Sequence, residues 1–161
     1  MYYYYGADLL KNPVKVYVIK YPLVLTSILL IMSWLARSLL SFTFGRAWNS
    51  IGWGLFVLGS LLIIVSGGFF KSAGTTLNPN KMPTKLVTKG LYRATRNPMY
   101  LGMLTSLIGF ALAMNSPLGV IFSIVFLLTV DTVVIPSEER ALENIFGGSY
   151  LDYKSRTRRW I

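Results

Sequence analysis

Four apolar runs stand out along the chain, separated by short polar stretches. The first extends from roughly Tyr21 to Phe44, with Arg37 interrupting its distal end, and the second, Ile51 to Phe70, is free of charge. The third covers Pro98 to about Met114 and the fourth Pro117 to Pro136. About 20 apolar residues cross the hydrocarbon core of a bilayer as a helix. The pattern therefore predicts an all-α integral membrane protein with about four transmembrane helices, over 21–44, 51–70, 98–114 and 117–136. A cytoplasmic loop and a short C-terminal amphipathic helix complete a single domain over 1–161.

Asn115-Ser116-Pro117 reads as a tight turn that makes the third and fourth runs an antiparallel hairpin. Gly102, Ser106, Gly109 and Ala113 recur at spacings of four, three and four, placing small residues on one face where helix backbones approach closely in lipid. Asp131 sits inside the fourth run, at the level of Met103 if the hairpin is in register. A carboxylate at that depth is either functional or paired with a cation such as Arg93 or Arg96.

Composition sharpens this picture. Hydrophobic residues make up 53% of the chain and charged residues only 14%, against about 25% charged in soluble domains. The absence of Cys and His removes thiolate metal sites, Cys nucleophiles and Ser-His-Asp chemistry. The net charge of +10 follows topology, not nucleic acid: fourteen of the sixteen Lys and Arg fall in the N-terminal arm, the 71–97 loop and the C-terminal tail. The positive-inside rule predicts those three segments, and both termini, in the cytoplasm; for a prokaryotic protein the membrane would be the plasma or inner membrane. The aromatic and basic start of the chain has no small-residue cleavage site and is not a secretory signal.

Polarity concentrates at two membrane edges. At the first, Leu86 to Gly102 carries Lys89, Arg93 and Arg96 among glycines and tyrosines. Within it, Arg96-Asn97-Pro98 is a sound helix start, with Asn as N-cap and Pro in the first turn. Such a start also presents the positive end of a helix to an anionic group. At the second edge, Pro136-Ser137-Glu138-Glu139 suggests another helix start, Ser137 capping and the acids in its first turn. The hairpin returns the chain so that residues 97 and 138 lie at one level, and the pair would grip an amino-acid moiety by both ends. The tail from Phe146 to Trp160 reads as a segment lying on the bilayer surface or folding over the loop as a lid.

Gly74-Thr75-Thr76-Leu77-Asn78-Pro79, Leu86 to Tyr92, Arg96-Asn97-Pro98-Met99-Tyr100-Leu101-Gly102, and Glu138-Glu139 with Phe146-Gly147, Tyr150 and Tyr153 together resemble one family. It is the isoprenylcysteine carboxyl methyltransferase family, with its short prokaryotic relatives and the related phospholipid N-methyltransferases. The resemblance implies a membrane methyltransferase using S-adenosyl-L-methionine, its cofactor segments falling in 74–102 and 136–160. It implies cofactor contacts from Thr84, Lys85, Leu86, Val87, Tyr92, Asn97, Pro98, Met99, Tyr100 and Glu138. Read from the residues themselves, Arg96, able to clamp a carboxylate, and Glu139, a candidate base, are the expected catalytic residues. Glu138 would meet the methionyl ammonium, main-chain N–H groups of 86–98 the carboxylate, and the aromatics the adenine. Two positions depart from the family: Asn97 stands where His is common, and Val134 where the eukaryotic enzymes carry a substrate-contacting Arg.

Methyl transfer from a sulfonium is an in-line displacement that needs alignment more than acid–base chemistry. A carboxylate acceptor needs no base; an amine would lose a proton, to Glu139 or Asp131. The expected partner is a lipophilic or lipid-linked acceptor arriving from the membrane lipids, most simply an isoprenylcysteine-like carboxylate, with a phospholipid amine as the alternative. A non-catalytic membrane scaffold is the reading from another class.

Overall fold

The computed structural model describes residues 21–40, 44–75 and 83–161, and among these every regular element is helical. The N-terminal arm with Lys11, Lys15 and Lys20, the Thr76 to Pro79 part of the family-like motif, and Lys81 lie outside the described residues.

Helix α1 spans Pro22–Ala36 and α2 Arg46–Ser72. A short 3-10 turn, Gly90–Arg93, precedes α3, Pro98–Ala113. Helix α4, Pro117–Thr129, passes through a π turn, Val130–Val134, into α5, Ile135–Phe146, and α6 covers Gly148–Arg156. Two helices are long and apolar enough to cross a membrane, Arg46–Ser72 and the continuous Pro117–Phe146; Pro22–Ala36 and Pro98–Ala113 are apolar but shorter. The first run is thus a shorter helix than its apolar extent suggests: α1 stops at Ala36 and Arg37 stacks over the Trp34 ring.

The helices are inside out relative to a soluble bundle. On α1 the buried positions are Thr26, Leu29, Ser33 and Ala36, while Leu23, Ile28, Ile31 and Leu35 face outward. Helix α2 buries Gly52, Gly59 and Ser66 and exposes Val57, Leu61 and Ile64. A surface this apolar suits lipid, where small residues let helices touch.

The small-residue stripe on α3 does pack a helix, and its partner is the seven-residue repeat of α2. A Cβ on Gly109 would lie 2.7 Å from the Gly52 carbonyl oxygen, and one on Gly59 2.5 Å from that of Gly102. The expected hairpin turn is present: Asn115 takes a positive φ of 50°, and Ser116 Oγ caps α4 by accepting from Gly119 N–H at 3.1 Å. Leu29, Met103, Leu107, Phe126 and Val130 form the core between α1, α3 and α4.

One expected boundary is absent. Pro136 begins no separate helix and Ser137 is no cap; the helix runs through. A proline inside an α-helix removes one hydrogen bond and crowds the carbonyl four residues back, here that of Thr132. The wider π turn over 130–134 absorbs that crowding and lets the chain continue into the polar α5.

Candidate active site

The polar edges of the hairpin meet as the sequence predicts. Tyr100 Oη, in the first turns of α3, donates to Glu138 Oε1 at 2.7 Å. Beside it Arg96 donates to Glu139 Oε1 through Nη2 at 2.9 Å and Nε at 3.3 Å. Tyr100 and Arg96 thus lie against Glu138 and Glu139 at one level of the fold, with Asn97, Pro98 and Met99 between them in sequence.

Asn97 occupies the N-cap position of α3, but its side chain does not cap. Its Nδ2 donates instead to the Arg159 carbonyl at 3.0 Å. Among the described residues α3 therefore begins without a side-chain cap from Asn97, and the Tyr100 hydroxyl of its first turn meets Glu138.

The loop before α3 is held by aromatic packing. Gly90 has a φ of +62°, and the Phe69 ring of α2 sits where a side chain would be, so only glycine fits. Tyr92 is buried against Phe70, ring centroids 5.4 Å apart at 75°. Burial, then the proximity of Tyr153 and Glu138, pushes the Tyr92 phenol well above its ordinary range. Val87 is buried in the same loop and Leu86 half-buried. Thr84 and Lys85 are exposed and tied elsewhere: their N–H groups donate to Thr75 Oγ1 at 3.0 and 3.4 Å. Among the described residues no hydrogen bond joins them to the Glu138 side of the site.

The sequence gives no sign of how the tail is held. After Gly147 turns the chain with a positive φ of 52°, α6 buries Tyr150 and Tyr153, and residues 157–160 cross the hairpin as a strap. Tyr153 Oη donates to the Tyr92 carbonyl at 2.7 Å. Arg96 N–H donates to the Arg158 carbonyl at 2.9 Å, and Thr95 Oγ1 to that of Arg159 at 3.0 Å. The Arg96 guanidinium also donates to the Lys154 carbonyl at 3.0 Å and to that of Thr157. Of the two roles open to the tail, the structure shows the one folded over the loop.

Glu139, only 5% exposed, is the hub. Its second oxygen accepts from Arg159 Nη2 at 3.1 Å and pairs with Lys154 Nζ at 3.4 Å. Lys154 is held charged above its usual range, chiefly by its hydrogen bond to Glu143. Asp131 pairs with neither Arg93 nor Arg96: its Oδ1 accepts from Arg159 Nη1 at 3.2 Å and Trp160 Nε1 at 2.9 Å. Lys154, Thr157, Arg159 and Trp160 are thus parts of the site that sequence reasoning did not assign.

Comparison with known proteins bears on this geometry. The family model described as phospholipid methyltransferase matches residues 48–149, from early α2 into α6. An uncharacterized protein of Haemophilus influenzae is 36% identical over 63 residues, 39% of this chain and 100% of that protein. The protein-S-isoprenylcysteine O-methyltransferase B of Arabidopsis thaliana is 35% identical over 72 residues, 45% of this chain and 36% of that protein. No solved structure matches. The matched region contains the α2–α3 glycine interface, the 84–100 loop and helix start, and both glutamates, and the two long apolar helices suit a membrane protein. By this match the chain belongs to the phospholipid methyltransferase family and is a methyltransferase.

Proposed function

We propose that the protein transfers a methyl group from S-adenosyl-L-methionine to a lipophilic acceptor at the membrane surface. The observation that carries this reading is the meeting of the uncapped start of α3 with the Glu138 carboxylate. A helix N-terminus receives an anion and a carboxylate receives an ammonium, so the two grip the ends of an amino-acid moiety. Among the described residues Tyr100 is the hydrogen-bond partner of Glu138, on Oε1, which leaves the carboxylate acceptor capacity for a ligand. The residues present therefore fit the cofactor. Bound there, it supplies an electrophilic methyl carbon.

In this reading Glu138 binds the cofactor ammonium, and the N–H groups of 86–88 with the head of α3 receive its carboxylate. Those loop residues lie outside any helix, so their N–H groups are not committed to a helical ladder. Tyr92, Asn97, Pro98, Met99 and Tyr100 shape the pocket, and Thr84 and Lys85 close its outer edge from the Thr75 side. Arg96 and Glu139 act by positioning. All four acceptor directions of Glu139 are engaged by Arg96, Arg159 and Lys154, so the pair fixes the tail over the site while the acceptor is held elsewhere.

The first acceptor class is an isoprenylcysteine-like carboxylate, whose methylation requires no base. The second is a phospholipid amine, favoured by the description of the matching family and by Val134 standing where a substrate-contacting Arg would be. Four spans with both termini and the 71–97 loop cytoplasmic is the topology proposed with it. Methyl-tritiated cofactor separates the classes. Label in an S-farnesylcysteine probe that base releases as methanol establishes the carboxylate. Base-stable label in phosphatidylethanolamine vesicles establishes the amine. Cofactor binding with neither transfer would leave the scaffold reading.

A further inference from the structure

An open groove of about 470 Å³ runs between α3 and α4, lined by Leu101, Leu104, Leu127 and Leu128, with Asp131, Trp160 and the exposed Ile161 at its polar end. Along α3 Leu101 lies nearer the polar edge than Leu104, and along α4 Asp131 lies nearer it than Leu127. The groove is therefore apolar at its deep end and polar at its head. Ile124, Val125 and Leu128 of α4 are exposed beside it, so it opens on the lipid-facing side. Its volume is about that of one chain of a membrane lipid, and it falls within the ~300–1,000 Å³ of ligand sites.

The strap crosses α4 and α5 at a telling point. Arg159 bridges Asp131 and Glu139, and Trp160 stands on Asp131. Asp131 and Glu138 are seven residues apart on one continuous helix, roughly 10 Å along its axis. A head group carried by a chain in the groove must cover that distance, past Trp160, to reach Glu138 and Tyr100.

Asp131 does more than pair with a cation. An acidic side chain this close to the apolar layer is costly, and Arg159 alone would offset its charge. Its second donor is the indole N–H, a directional bond that fixes which way the ring stands. The ring in turn packs against the core cluster that contains Tyr100 and Met103.

We propose that Trp160 is the gate between a lipid-chain groove and the methyl-transfer site, and that Asp131 is the residue that positions it. This rests on the reading above for what lies beyond the gate. A lipid acceptor lays its chain along Leu104, Leu127 and Leu128, and its head passes the indole, so Trp160 selects acceptors by head-group bulk.

The chain has no cysteine, which makes the test clean. Leu101→Cys places one thiol at the head of the groove, and its rate of alkylation by a charged, water-soluble maleimide is measured on the full chain in nanodiscs. Adding Trp160→Ala or Asp131→Ala should raise that rate at least tenfold. Asp131→Asn, whose amide oxygen still accepts the indole N–H, should stay within threefold of the Leu101→Cys parent, and Trp160→Phe should fall between. An unchanged rate in Trp160→Ala overturns the gate. Asp131→Asn reacting as fast as Asp131→Ala overturns the positioning role, because charge rather than ring orientation would then be closing the groove. Should Trp160→Ala not fold, the two Asp131 variants and Trp160→Phe carry the same comparison. S-adenosylhomocysteine binding on the same samples separates the two failures. A working gate without binding removes the cofactor-site reading, and binding without a rate change removes only the gate.

Discussion

Replacing Arg96 by Ala should release the C-terminal strap. The guanidinium donates to the carbonyls of Lys154 and Thr157 and twice to Glu139. Hydrogen bonds from a charged donor contribute about 1.5–3 kcal/mol each, and breaking a buried ion pair costs about 3–5 kcal/mol. Both Arg96 and Glu139 are largely buried, with side-chain exposures of 11% and 7%, so solvent screens the pair little. Glu139 keeps Arg159 and Lys154 in the variant and is not orphaned, which places the loss at the low end, about 3 kcal/mol. That corresponds to roughly a 150-fold larger population of open strap, at 1.4 kcal/mol per tenfold. Trypsin cleavage after Arg156 and Arg158, both exposed on the tail, reads that population when opening and closing are fast. Cleavage there, assigned by mass spectrometry, should accelerate about 100-fold in Arg96→Ala. In Arg96→Lys, whose point charge cannot serve a carboxylate and two carbonyls at once, about tenfold is expected. Rates within threefold of wild type in Arg96→Ala would show that the remaining contacts hold the strap without the guanidinium and would refute the reasoning.

Other consequences follow from the same contacts. Gly59→Leu drives a side chain into the Gly102 and Ser106 backbone and should abolish a monodisperse product, whereas Gly54→Ala, with open space around it, should leave thermal stability within about 1 kcal/mol. Asn97→Asp faces the Arg159 carbonyl with an acceptor and should raise tail cleavage, while Asn97→His keeps a donor and should raise it less. Burial raises the Tyr153 phenol from 10.0 to about 12, so below about pH 10 it is protonated folded or unfolded and contributes no pH dependence. Above that the unfolded chain loses the proton first, and the raised Lys154 ammonium acts with the same sign. The thermal midpoint should therefore fall as pH rises from 10 through about 12, and a rising midpoint would contradict the burial of Tyr153.

Much of this arrangement is legible in the chain because it depends on spacing. The small residues of α3, the Asn115 turn and the return of Glu138 and Glu139 to the level of Arg96 and Asn97 follow from helical period and hairpin register. What is not legible rests on backbone geometry. The strap is held largely through the carbonyls of Lys154, Thr157, Arg158 and Arg159, which every residue possesses. Asn97 is a good N-cap by type, and only the nearby Arg159 carbonyl draws its side chain away. Pro136 marks a boundary by every local rule, yet the π turn before it lets α4 and α5 join. Asp131 had two reasonable arginine partners at the cytoplasmic end of the hairpin, and the tail supplied a third.

The central claim, that the head of α3 and Glu138 together hold the cofactor, is tested most directly by calorimetry. S-adenosyl-L-methionine would be titrated into detergent-purified protein, wild type beside Glu138→Gln. The account predicts saturable binding by the wild type and at least a tenfold weaker affinity in the variant, with helical content unchanged. Equal affinity in the two proteins, or no binding by folded, monodisperse wild type with lipid present, would contradict it.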